Sequence, residues 1–165
     1  MVVTQASAML PTPEQAVDSS MAIQANANKG SNSSAQAVNS RITASLVSVD
    51  ANGQEVLVPV NTNTRLQSGN VLEYQGYFTN TNADRVRKMT VTMSIPEQVE
   101  LLKTVAPEFP YGSVDGNNFA RMPLRTKVDN QLQDVALKYY KAVRWDLEGV
   151  GLNDTVAVKY RARVK

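Results

Sequence analysis

Neither histidine nor cysteine occurs anywhere in the 165 residues. Without them the chain cannot assemble a Ser-His-Asp triad, a Cys-His pair, a His-ligated metal centre or a zinc cluster, and it has no disulfide framework. Most common hydrolytic designs are excluded. Paired carboxylates remain as acid–base machinery, but Asp129, Asp134, Asp146, Glu148 and Asp154 fall near expected turns and strand ends, the ordinary setting of solvated acids. A non-enzymatic protein without cofactor or metal is therefore expected. An excess of one charge sign is missing as well: 17 Lys and Arg against 15 Asp and Glu leave a net +2, far from the basic surplus of a nucleic-acid binder. Long apolar runs are also lacking. None approaches the roughly 18 to 20 residues that cross a bilayer as a helix, so no transmembrane helix is expected. The length suits one domain with a real core.

What is present is unevenly distributed. Residues 1–40 contain no aromatic residue and only Glu14, Asp18 and Lys29 as charges, amid abundant Ala, Ser, Asn and Gln. Such a segment has little to bury and reads as a polar, low-complexity arm. Lys29-Gly30-Ser31-Asn32-Ser33-Ser34 is linker-like. Ahead of it, Thr12-Pro13-Glu14-Gln15 has the form of a capping box opening a short helix over about residues 13 to 20. Ser20-Met21-Ala22-Ile23-Gln24-Ala25 instead alternates like a strand that adds to another sheet's edge, with Met21, Ile23 and Ala25 on one side. At the start, Ala6-Ser7-Ala8 has the small-x-small form of a signal-peptidase site and Met1–Thr4 resembles the stump of an apolar leader. This points to secretion, although an Ala- and Ser-rich tail also produces such a tripeptide by chance.

From Arg41 onward the pattern is β. Ile42–Val49 and Gln54–Val60 flank Asp50-Ala51-Asn52-Gly53, whose Asn-Gly pair predicts a tight hairpin turn with positive φ angles. A further strand runs from Val71 to Thr79 and ends in the turn-prone Asn80-Thr81-Asn82. Met89, Val91, Met93 and Ile95 alternate with Thr90, Thr92 and Ser94 before Pro96, which predicts one apolar and one hydroxyl face. After a short strand over Val99–Val105, Pro107, Pro110, Gly112, Gly116 and Pro123 predict a long irregular connection. Within it, Asp115-Gly116-Asn117-Asn118 matches the opening of a calcium loop but lacks the later ligands, and reads as a turn. Val135–Asp146 is expected to place Leu137, Tyr139, Val143 and Trp145 on one face. Thr155–Val164 places Val156, Val158, Tyr160, Ala162 and Val164 inward, and Lys159, Arg161, Arg163 and Lys165 opposite. That basic ladder has two readings: a solvated face that resists edge-to-edge aggregation, or a surface for anionic glycan or lipopolysaccharide.

Gly69–Tyr74, Phe78-Thr79-Asn80-Thr81-Asn82 and Val91–Pro96 resemble the "conserved repeat" domain of unknown function found in bacterial surface proteins. Tyr140–Leu147, Gly151–Thr155 and Val158–Val164 look like the closing strands of the same family. The resemblance spans about residues 42–165. It implies an all-β, immunoglobulin-like antiparallel β-sandwich, here of about seven or eight strands with a polar N-terminal arm. It further implies a non-catalytic structural role at a bacterial cell surface or in an extracellular assembly, and brings no functional residues with it. Tyr74 and Trp145 are expected as inward anchors and Asn80 as a corner. The chain has one copy and no internal repeat. Self-assembly into a filament or matrix through the arm is therefore one expectation. A module that binds glycan or a protein partner through the Ala106–Pro123 connection is the other.

Overall fold

The computed structural model describes residues 38–83 and 85–165. The arm positions Met21, Ile23 and Ala25, and the alternative helix over residues 13 to 20, lie outside the described residues. Within them the chain is nearly all β. The strands are β1 (Val38–Val49), β2 (Glu55–Pro59), β3 (Val71–Asn80), β4 (Val86–Ser94), β5 (Val99–Ala106), β6 (Tyr111–Ser113), β7 (Ala120–Arg121), β8 (Arg125–Val128), β9 (Gln131–Asp134), β10 (Ala142–Val150) and β11 (Thr155–Val164). One 3-10 turn spans Leu137–Tyr139. A five-stranded sheet has the order β2-β1-β3-β11-β5, a four-stranded sheet the order β4-β10-β6-β7, and β8-β9 form a separate ribbon. Every pairing among them is antiparallel.

The two larger sheets bury their apolar faces in one core. Leu72, Tyr74 and Phe78 of β3, Leu101 of β5, and Val158, Tyr160, Ala162 and Val164 of β11 join Met89, Val91 and Met93 of β4 with Val143 and Trp145 of β10. The period of two along each strand produces this, since alternate side chains point to one face. Polar tips in the core are satisfied: Trp145 Nε1 donates to Pro107 O at 3.0 Å, and Tyr160 Oη to Ser94 O at 2.8 Å. The rings of Tyr74 and Tyr160 stack with centroids 5.0 Å apart, and burial pushes the Tyr74 phenol up to about 12. Asn80 is the corner. Fully buried, it donates through Nδ2 to Gly151 O (3.0 Å) and accepts at Oδ1 from Asn82 Nδ2 (2.7 Å), which ties the end of β3 to the β10–β11 turn.

Several sequence expectations are corrected. The described residues form eleven strands, not seven or eight, because the Pro- and Gly-rich connection is not irregular: it holds β6 and β7, and the segment after it forms β8 and β9. Short strands of two to four residues carry no readable alternation. Leu137 and Tyr139 lie on the 3-10 turn, not on a strand, and Tyr139 is exposed. Tyr140 is the buried ring instead, and its hydroxyl accepts from the Leu124 N–H at 2.7 Å. Asp146 sits mid-strand in β10, away from any turn. β1 begins at Val38, paired with Asn80, so the last three arm residues belong to the sheet. The β1–β2 hairpin exists, but only Gly53 in its loop has positive φ (79°). The Asp50 carboxylate accepts from the N–H groups of Asn52 and Gln54 at 2.8 and 2.9 Å, and the loop is a longer one than an Asn-Gly turn.

Candidate functional site

The outer face of the five-stranded sheet contains the basic ladder, and its centre is an acid that the sequence pattern does not single out. Glu73 points away from the apolar core, yet it is only 1% exposed. It lies directly opposite Arg161 in the β3–β11 register. Arg161 Nε donates to Glu73 Oε2 at 2.9 Å, Lys159 Nζ to Oε1 at 3.4 Å and Gln75 Nε2 to Oε1 at 2.7 Å. Burial raises the Glu73 pKa, but these donors and the two cationic charges outweigh it and hold the carboxyl below its usual range. The free side of the Arg161 guanidinium pairs with Glu55 of β2. Arg163 faces Glu100 at 3.6 Å, and Lys165 Nζ donates to Glu97 O at 2.6 Å. All four ladder residues thus have acidic or carbonyl partners, and the charges of Lys159, Arg161 and Arg163 are opposed by acids where they arise.

The outer face of the four-stranded sheet is built differently. Thr92 of β4, Arg144 of β10, Tyr111 of β6 and Arg121 of β7 are in direct register across all four strands. Cross-strand partners share a face, so the four form one row. The Arg144 guanidinium lies over the Tyr111 ring at 4.8 Å and over the Phe119 ring at 4.8 Å, and Arg121 lies over Tyr111 at 5.3 Å. The result is an Arg121–Tyr111–Arg144–Phe119 stack. Phe119 is positioned by the loop between β6 and β7, which is organised by Asp115. Its carboxylate accepts from Ser113 Oγ, Asn117 N, Asn118 N and Asn118 Nδ2 at 2.6 to 2.8 Å, which holds its pKa well below the usual carboxylate range. That loop is a turn closed on its own backbone. On the inner side Gly112 is required, since a Cβ there would run into the Tyr140 ring and Met122.

The charges around this row are unevenly matched. Asp146 is engaged by Lys88 Nζ and Thr90 Oγ1, both at 2.9 Å. Burial raises its pKa, and those two hydrogen bonds with the neighbouring cations bring it below the ordinary value. Arg144 Nε is buried without a hydrogen bond, with Asp146 Oδ1 3.9 Å away. Sequence reasoning missed Tyr111, Phe119, Arg121 and Arg144. An aromatic at 111 and at 119 flanking a basic 121 was the available signal, but nothing local shows that position 144 joins them.

A third feature is the β1–β2 hairpin. Beyond Leu46, β1 is no longer paired with β3 and continues paired only with β2. Val56, Leu57 and Val58 are exposed on β2, as is Val49 on β1. β2 is an edge strand, and its three central residues carry neither charge nor proline. The opposite edge, β5, carries Glu100 and Lys103, the usual protection of a sheet edge. Among the described residues no group of His, Cys, Asp and Glu is arranged to hold a metal, and no helix is long and apolar enough to cross a membrane. No family model, curated protein or solved structure matches the chain.

Proposed function

We propose that this chain is a non-catalytic structural module of a bacterial cell-surface or extracellular assembly, an immunoglobulin-like β-sandwich that joins its neighbours by strand exchange. The observation that carries the reading is the exposed apolar centre of the β2 edge, between Glu55 and Pro59. Three consecutive apolar residues are exposed there, on the one strand that ends the five-stranded sheet beside β1. An edge of this kind offers unpaired backbone groups and apolar side chains to an incoming strand. The polar arm that precedes β1 supplies a candidate, since Met21, Ile23 and Ala25 have the period of a strand that buries one side. The resemblance to bacterial surface repeats suggests the location, with secretion indicated by Ala6-Ser7-Ala8.

The test compares the full chain with a version beginning at Ala37, which retains all of β1. Light scattering of the full chain should show mass growing with concentration, and negative-stain microscopy should show filaments. The shortened chain, and the full chain carrying Leu57→Lys, should remain monomeric, with the melting temperature of the shortened domain nearly that of the parent. A full chain that stays monomeric at high concentration overturns the assembly reading.

A further inference from the structure

We propose that the outer face of the four-stranded sheet is a binding site for the carboxylate of a sugar acid, held by Arg144 and Arg121 at the Tyr111–Phe119 stack. The site does not depend on whether the chain polymerises.

Charge comes first. Arg144, Arg121 and Lys88 supply three positive charges on this face, against Asp146, committed to Lys88 and Thr90, and Glu148, the cross-strand partner of Lys88 away from the row. On the outer face of the five-stranded sheet Arg161 and Arg163 meet carboxylates, at 2.9 and 3.6 Å, while Arg41 lies over the Tyr77 ring at 4.9 Å. On this face Arg144 Nε has Asp146 Oδ1 3.9 Å away, an ion pair without a hydrogen bond, and Arg121 has no carboxylate partner among the described residues. Arg144 Nε is buried and unbonded, and its terminal nitrogens form no hydrogen bond with any described residue. The terminal nitrogens therefore keep their donors for a ligand.

Geometry then narrows the ligand. Two aromatic rings, each with its centroid 4.8 Å away, cover the Arg144 guanidinium, so its N–H groups are left to act along its edge. An edge-presented guanidinium is a planar fork that matches a carboxylate with two parallel hydrogen bonds. Because the side chain is already fixed by stacking, little rotamer freedom is lost on binding. Arg121, stacked on the same Tyr111 ring, adds a second fork two strands away from Arg144. Thr92, beside Arg144 in the row, presents a hydroxyl for a ligand hydroxyl. A carboxylate borne on a polyhydroxylated ring engages the terminal guanidinium nitrogens and the Thr92 hydroxyl together, whereas a bare anion leaves Thr92 unused. The Asp115-organised loop fixes Phe119 through hydrogen bonds of its own, which makes the site preformed.

The probes are galacturonate, galactose, acetate and inorganic phosphate, titrated into the full chain and followed by calorimetry and by the amide and Arg Nε–H resonances in NMR. Galacturonate should bind with shifts confined to the row and to the Phe119 loop, including the Arg144 Nε–H. Galactose should not bind, and acetate and phosphate should bind at least several-fold more weakly. Arg144→Lys keeps the charge and removes the fork, and should weaken galacturonate roughly tenfold, as expected of one charge-assisted hydrogen bond. Arg121→Ala, at an exposed position, should weaken it several-fold with the melting temperature unchanged. Arg163→Ala, on the paired face, should have no effect. The proposal is overturned if galacturonate does not bind at tens of millimolar, or if phosphate binds as well as galacturonate. It is equally overturned if both Arg144→Lys and Arg121→Ala, folded as judged by their amide spectra, bind like the parent.

Discussion

The two outer faces of this molecule hold their central arginines in different ways. On the β3–β11 face, cross-strand register sets Arg161 opposite Glu73, and Lys159, Arg161 and Arg163 are paired with acids of the same sheet, while Arg41 at its margin lies over the Tyr77 ring. On the β10–β6–β7 face, register sets Arg144 opposite Tyr111 and Tyr111 opposite Arg121, so both guanidiniums stack on a π face, with Asp146 3.9 Å from Arg144 and not hydrogen-bonded to it. Pairing with a carboxylate consumes both the charge and the donors of a guanidinium. Stacking on a ring leaves its charge and its edge donors available. A row of Lys and Arg read from sequence is therefore a poor guide to an anion site, because the residue opposite decides what remains to bind.

The largest expected effect tests whether the two faces rest on one cooperative core. Trp145 is 2% exposed and belongs to the cluster that both sheets share. Trp145→Ala should cost about 3–5 kcal/mol through cavity formation and the loss of its bond to Pro107 O. Hydrogen exchange should then show β3 and β11 losing protection together with β4 and β10. Loosening of only the four-stranded sheet would show that the two faces belong to separable units.

The next effect separates the faces by their acids. Glu73→Ala removes the partner of Lys159 and Arg161 from a buried position, and should destabilise by about 2 kcal/mol, discounted because both cations retain access to water. Chemical denaturation measures it. A loss no larger than that of Arg163→Ala would mean that the network contributes only charge cancellation.

Acid provides a graded version of the same test. The Glu73 carboxyl lies below its ordinary value of 4.5 in the folded chain. A depressed carboxylate contributes stability that is fully present above the unfolded value and is lost as pH falls through the folded one. Stability should therefore decline below about pH 4.5, with Asp146 adding to the slope, and Glu73→Gln should be less stable at neutral pH with a flatter decline. A Glu73→Gln variant with the parent's acid profile would break the assignment.

The smallest effect concerns the stack itself. Phe119→Ala removes one aromatic layer from Arg144 and should cost about 1 kcal/mol or less by thermal melting. Any larger loss would make the stack a structural element first.

Long strands are legible in the amino-acid pattern: β4 and β11 fall where alternation places them, because nine to ten residues with one face in a core leave a clear period of two, and β3 and β5 fall where apolar and β-favouring residues cluster. Tyr74, Trp145 and Asn80 are equally readable, as large rings between polar neighbours and as an amide at the end of a strand. The short strands β6 to β9 are not, since two to four residues show no period. Tyr140 reads as an outward neighbour of Tyr139 because a 3-10 turn breaks the alternation just ahead of β10.

By itself, then, the sequence determined the chemistry that is excluded and the β character of the chain. The lack of His and Cys and the period-two pattern are local properties and survive any arrangement of the strands. Tertiary structure alone decided which charges are spent and which are free. Glu73 and Arg161 are 88 residues apart, and Tyr111 and Arg144 meet only because β6 pairs with β10. Whether a guanidinium faces a carboxylate or a ring depends on strand order and register, and these are set by long-range pairing, which no local window of the chain contains.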